Sequence, residues 1–214
     1  MAVARASVLV ALTIALWTSP AAAAIGRTGS TGRSLQQYLS SMSWPVRASI
    51  LRARSVSDRI DGWIADGDPP FLGGIAASCR SLRAVEARGR LLRIDPPQQL
   101  GSSHARLMRA YSAARAGCRQ ARLEALAARA ALSRAFRTQS ATDRQASDRE
   151  TLAACTQLRR FAGTTLLAFG RAVATWRSAA LSEAQAHGAA ASWLQELRVQ
   201  VPRGAYSRPC PPPS

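Results

Sequence analysis

Between Pro97 and Arg137 the apolar residues recur at alternating steps of four and three: Leu100, His104, Leu107, Tyr111, Ala114, Cys118, Ala121, Ala125, Ala128, Leu132 and Ala135. Steps of that size line up one face of a helix. The arginines of the stretch, Arg106, Arg109, Arg115, Arg119, Arg122, Arg129, Arg134 and Arg137, all fall off that line. The segment therefore reads as a long amphipathic helix, wet on one side and packed on the other. At ~1.5 Å per residue it extends for about 60 Å. A rod of that length with a seam made largely of alanine is not stable alone, so the rest of the chain has to supply partner helices.

Those partners are legible. Ser34 caps a first helix in which Leu35, Tyr38, Leu39, Met42, Val46, Ile50, Ala53, Val56, Ile60, Trp63 and Ile64 keep helical spacing up to Asp66 and Gly67. Ser43-Trp44-Pro45 interrupts it, and because proline lacks an amide donor and disfavours helix just before itself, a kink or a break with Ser43 as a fresh N-cap is expected there. A second helix spans about Leu72 to Leu92, with Ile75, Cys79, Leu82, Val85, Gly89 and Leu92 on one stripe. Asp95-Pro-Pro97 ends it, with Asp95 the expected cap of the long helix. After the polar stretch Thr138 to Gln145, where Ser140 and Asp143 are cap candidates, a fourth helix carries Leu152, Cys155, Leu158, Ala162, Leu166, Phe169, Val173, Trp176 and Ala180. It loosens at His187-Gly188. A turn at 138–145 is favoured over one continuous rod because the apolar seam stops there. Strand-like alternation between turn signals is missing. The expected fold is all-α: an up-down antiparallel bundle of four principal helices, the first kinked, stapled by two disulfides.

The two ends of the chain read differently. Residues 1–24 have the form of a signal peptide, with Arg5, an apolar run from Ala6 to Trp17 and small residues leading to a cleavage site after Ala24. The run is shorter than the ~20 residues a bilayer-spanning helix needs, and no later segment approaches that length. Residues 25–33 read as a flexible leader, 34–199 as the bundle, and 200–214 as an extended proline-rich tail. An exported protein, secreted, periplasmic or at the cell surface, is the expectation.

The four cysteines, Cys79, Cys118, Cys155 and Cys210, have no C-x-x-C spacing. Behind an export signal an even set reads as two disulfides rather than a metal or redox site. Counted from the Asp95-Pro-Pro97 turn, Cys79 and Cys118 differ in height by ~9 Å, which a slanted helix pair absorbs and an ideal pair does not. Cys118 with Cys155 is about equally mismatched and stays open as an alternative. Cys79 with Cys118 is preferred, because Cys155 with Cys210 then explains why a proline-rich tail carries a cysteine near its end.

The formal charge is +17, from 29 basic and 12 acidic residues. Every basic residue is arginine; together with abundant alanine this is also what GC-rich codon usage gives without selection for function. The functional reading is that such a field finds anions outside the cytosol, namely anionic envelope polymers or lipid headgroups. Nucleic acid is disfavoured, since Tyr111, Phe161, Phe169 and Trp176 sit on apolar stripes rather than among the arginines. Among the surfaces, Arg106, Arg109, Arg115, Arg119 and Arg122 are the preferred anion-binding set. Trp193, Leu194 and Leu197 form a short amphipathic segment, read as a cap on the bundle with shallow membrane insertion as the alternative.

Catalytic chemistry is sparse. The two histidines, His104 and His187, lie on different helices without a second ligand at i+3 or i+4, so no metal or cofactor is expected. Asp58, Asp61, Asp66 and Asp68 crowd one corner but lack the pattern of a calcium loop. No Gly-x-Ser-x-Gly, Ser-x-x-Lys or phosphate-cradling loop is present. The alternative to a non-enzymatic binder is a bundle with an internal small-ligand or catalytic pocket near His104 and Tyr111.

The pattern Pro97-x-x-Leu100-x-x-x-His104-x-x-Leu107, opening an alanine- and arginine-rich helix behind an export signal, resembles small exported helical proteins of high-GC bacteria. The resemblance covers about a dozen residues and implies an exported helical protein, with no activity to carry over.

Overall fold

The computed structural model describes residues 20–89, 91–199 and 209–210, with side chains from Ser34 onward. Six α-helices follow one another: α1 (Pro20–Asp66), α2 (Pro69–Gly89), α3 (Gly101–Thr138), α4 (Ala141–Arg160), α5 (Leu167–Ala186) and the short α6 (Ser192–Glu196). A π-helical segment, Phe161–Leu166, joins α4 to α5, so that the two form one rod. Four long rods therefore build an all-α bundle, one of them bent, and two cysteine pairs cross-link it. Among the described residues there is no strand, and no helix is long and apolar enough to cross a membrane.

The stripes of the four rods meet in one interior. From α1 come Leu39, Met42, Ile60 and Trp63, from α2 Leu72, Ile75 and Leu82, from α3 Leu107 and Tyr111, and from α5 Phe169 and Trp176, all nearly or fully buried. Every seam residue of α3 from His104 to Ala128 is buried. α3 packs on both α2 and α4 and also reaches α5, whereas α1 packs on α2 and closes the far side against α5.

Helix ends follow local chemistry. Gly67, at φ +68°, donates to Trp63 O at 2.8 Å and ends α1 in the left-handed conformation glycine accepts without strain. Gly188, at φ +63°, does the same after α5, where Ala189 N–H reaches back to Ala184 O at 2.9 Å. The turn between α3 and α4 is only Gln139-Ser140; the Ser140 hydroxyl accepts from Asp143 N–H at 3.1 Å, and the Asp143 carboxylate accepts from Thr138 and Ser140. Those hydrogen bonds hold the Asp143 pKa below the usual carboxylate value.

Several expectations are corrected. Of the two outcomes expected at Ser43-Trp44-Pro45 the kink holds and the break does not: α1 continues through Pro45 and bends, since the one missing amide leaves only one carbonyl unpaired in an otherwise packed rod. It also begins at Pro20 and so includes residues 25–33, read from the sequence as a flexible leader; Ala21 to Ala24 are strong helix formers that carry the helix into them. Asp95 does not cap α3. After α2 the chain makes two 3-10 turns, Leu91–Arg93 and Gln98–Leu100, and Leu100 takes the N-cap position without a side-chain bond. The first of these turns buries Leu91 and leaves Leu92 39% exposed, the reverse of the expected stripe, because the helical period ends at Gly89. Leu152 is also exposed. Residues 1–19, with the apolar run of the expected signal, and the tail apart from 209–210 lie outside the described residues.

The π-helical segment has a cause in the stripe of the fourth rod. Leu158, Ala162 and Leu166 are two successive steps of four, more than two α-turns provide, and a π-turn takes up the excess. It swings Phe161 onto Gly117 of α3, where a Cβ would stand 2.5 Å from the ring. The Leu167 amide then bonds Ala162 O, five residues back.

Candidate binding surfaces and the buried polar core

The cysteines pair as preferred. Cys79 joins Cys118 with Cα atoms 5.1 Å apart, and Cys155 joins Cys210 at 5.9 Å. The height mismatch of the first pair corresponds to an offset between α2 and α3. Cys79 is ~15 Å from the end of α2 and Cys118 ~26 Å from the start of α3, so α3 begins about 10 Å beyond the end of α2. The two 3-10 turns span that step. At the other end the same arithmetic carries the last turns of α3 about 15 Å past the start of α2.

His104 sits at the fixed end. The indole N–H of Trp176 (α5) donates to the Tyr38 hydroxyl (α1) at 2.8 Å, and that hydroxyl lies 2.9 Å from His104 Nδ1. Indole nitrogen only donates, so the tyrosine oxygen accepts there, while the tautomer of His104 decides which partner donates in the second bond. Burial pushes the His104 pKa below its ordinary value, against a smaller upward pull from Asp95, and burial raises that of Tyr38. The chain ties three rods together through groups 66 and 138 residues apart. Tyr111, the other half of the anticipated pocket, is fully buried and donates to Leu82 O of α2 at 3.3 Å. Its ring packs on Phe169 at 5.9 Å. Neither residue lines any of the clefts described below.

The five arginines preferred as the anion-binding set are spread around α3. At ~100° per residue, Arg115, Arg119 and Arg122 fall on one flank, while Arg106 lies on the opposite one and Arg109 faces outward. The first flank borders α2, since Tyr111 and Cys118, four residues before Arg115 and Arg122, both reach that helix. Arg106, Arg109 and Arg119 are exposed, but Arg115 and Arg122 are half-buried, each with an Nε shut off from solvent and without a partner. Arg115 lies over the Tyr111 ring at 5.8 Å. Charge on α3 is therefore presented as two separate strips. Ion pairs among the described residues lie elsewhere: Arg47 with Glu196 at 2.9 Å and Arg54 with Asp58 at 3.7 Å.

Three clefts bear on function. One of about 750 Å³ opens beneath the α3–α4 turn, lined by Leu132, Ala135, Phe136, Arg137, Arg144 and Asp148 among others. A second, of about 600 Å³, runs between α1 and α2 beside Trp44, Arg47, Leu51, Arg52 and Arg88. A small notch of about 180 Å³ lies over the π-helical segment. Among the described residues no three metal-ligating side chains come together, and His187 is beside Glu183 at 3.5 Å. Trp193, Leu194 and Leu197 cap the bundle: Leu194 and Leu197 are buried, Trp193 packs on Trp176 at 6.1 Å, and Arg177 donates to Leu194 O and to Gln195 O.

Comparison with protein-family models, with curated proteins and with solved structures returns no match to this chain. Sequence reasoning missed the Tyr38–His104–Trp176 chain, because nothing local pairs residues so far apart. It also missed the α1–α2 groove, whose signal was present: Trp44 and Leu51 stand seven apart, just off the apolar stripe of α1.

Proposed function

We propose that this chain is an exported, non-enzymatic helical bundle, akin to the small exported helical proteins it resembles, that binds anionic envelope polymers or lipid headgroups through arginine on its helix faces. The observation that carries the reading is the charge itself. The formal charge of the chain is +17 and Arg106, Arg109 and Arg119 stand exposed on α3; such a field concentrates polyanions at low ionic strength. Two cross-links fit an oxidising compartment. The packed surroundings of His104 and Tyr111 weigh against an internal ligand or catalytic pocket there. Retention of the disulfide-bonded protein on immobilised heparin at low salt, released steeply as salt rises, is the expected result; passage through the column unretained at low salt would overturn the reading.

A further inference from the structure

We propose that the groove between α1 and α2 around Trp44 and Leu51 docks the protein onto a bilayer of anionic glycerophospholipid; this deepens the function proposed above and rests on it. Trp44 is 49% exposed and Leu51 64% exposed. Seven residues apart, they stand two turns from one another on one face of α1. Trp44 is held outward: its ring lies against Gly89 of α2, where a Cβ would come within 2.8 Å of it, while the neighbouring Pro45 turns inward and is buried. The groove of about 600 Å³ that they border also holds Arg47, Arg52 and Arg88 and is lined by no carboxylate.

Two acids beside its lining residues are engaged. Glu196 takes the Arg47 guanidinium at 2.9 Å, and Glu86 accepts from the Leu92 amide at 3.1 Å. Arg52 and Arg88 are left to meet an anion from outside. Arg47 also stacks over Trp193 at 5.8 Å, which fixes the groove's rim to the cap formed by α6. A tryptophan at headgroup depth, an aliphatic side chain one heptad away and arginines whose stems lie along apolar surface form the combination that seats a helix in a membrane interface. The cleft beneath Phe136 lacks it: that ring is 83% exposed, but Asp148 shares the lining with Arg137 and Arg144 and there is no tryptophan.

The test sediments the full disulfide-bonded chain with vesicles of phosphatidylglycerol in phosphatidylcholine and, separately, of phosphatidylcholine alone, with heparin retention measured in parallel. Both target side chains are exposed, so Trp44→Ala with Leu51→Ala should keep the wild-type circular dichroism and heparin retention while losing about tenfold in affinity for the anionic vesicles. Arg52→Gln with Arg88→Gln should lose a similar factor, and Arg106→Gln, Arg109→Gln with Arg119→Gln should weaken heparin retention more than vesicle binding. Undiminished vesicle binding by the Trp44/Leu51 variant overturns the docking face. So do equal binding to neutral vesicles, heparin retention without vesicle binding, and capture of an acidic amphipathic peptide in preference to vesicles. Loss of both heparin and vesicle binding in the unaltered protein overturns the underlying function as well.

Discussion

The two halves of α3 obey one sequence rule and meet opposite fates. From Leu100 to Cys118 the seam carries large side chains, and each is buried against α1, α2 or α5. From Ala121 to Ala128 the seam is alanine and still buried, but beyond it Leu132 and Ala135 are only half-covered and Phe136 is 83% exposed. The helical period does not change along the rod; what changes is whether a neighbour is present. With Cys79 joined to Cys118, the last turns of α3 run beyond the start of α2, where Pro69 and α4 border a cleft and the seam is only half-covered. An apolar stripe thus specifies the face a helix offers, and the length of its partners decides how much of that face is covered.

That contrast is strongest where side chains are largest. Trp176→Ala at the covered end removes a fully buried indole and leaves Tyr38 without its donor; a loss of about 3–5 kcal/mol in chemical denaturation is expected. Tyr38→Phe keeps the packing and deletes the hydroxyl between Trp176 and His104, which leaves the buried indole N–H and His104 Nδ1 without that partner. Its expected cost is about 1–3 kcal/mol by the same measurement.

A pH series sharpens the comparison further. The folded-state pKa of His104 is lowered below 6.5, so the unfolded chain takes up the proton first. Stability from this residue is complete above that value and is lost as pH falls through the folded-state pKa. Denaturation midpoints should decline on acidification from about pH 6.5 in the unaltered protein and decline less in His104→Gln. An equal decline in both would remove His104 from the account. The smallest effect belongs to the uncovered end, where Phe136→Ala should change stability by less than about 0.5 kcal/mol. A loss comparable to that of Trp176→Ala would mean that something covers Phe136.

The same distinction explains what could be read from the chain. The buried face of α3 and Ser140 as a cap were legible because each rests on spacing within one helix or on a local turn, whereas the pairing of Cys79 with Cys118 and of Cys155 with Cys210 was reached through the cysteine near the end of the proline-rich tail. The exchange of Leu91 for Leu92 was not legible, since it depends on a helix stopping at Gly89 and a 3-10 turn rotating the next side chain. At Pro45 the sequence left a kink and a break both open, and packing along the rest of the rod, which outweighs one lost hydrogen bond, decides for the kink. The anion-binding set was chosen by its absence from the seam, which does not fix a single face. Two flanks and an outer surface all satisfy that condition, and only angular position separates Arg106 from Arg115.

Amide hydrogen exchange along α3 in the disulfide-bonded protein tests the account most directly. It predicts strong protection from His104 to Ala121, where the seam is fully buried, and progressively weaker protection from Arg129 to Thr138, where the seam is only half-covered. Uniform protection over both halves, or greater protection at the Phe136 end, would contradict it.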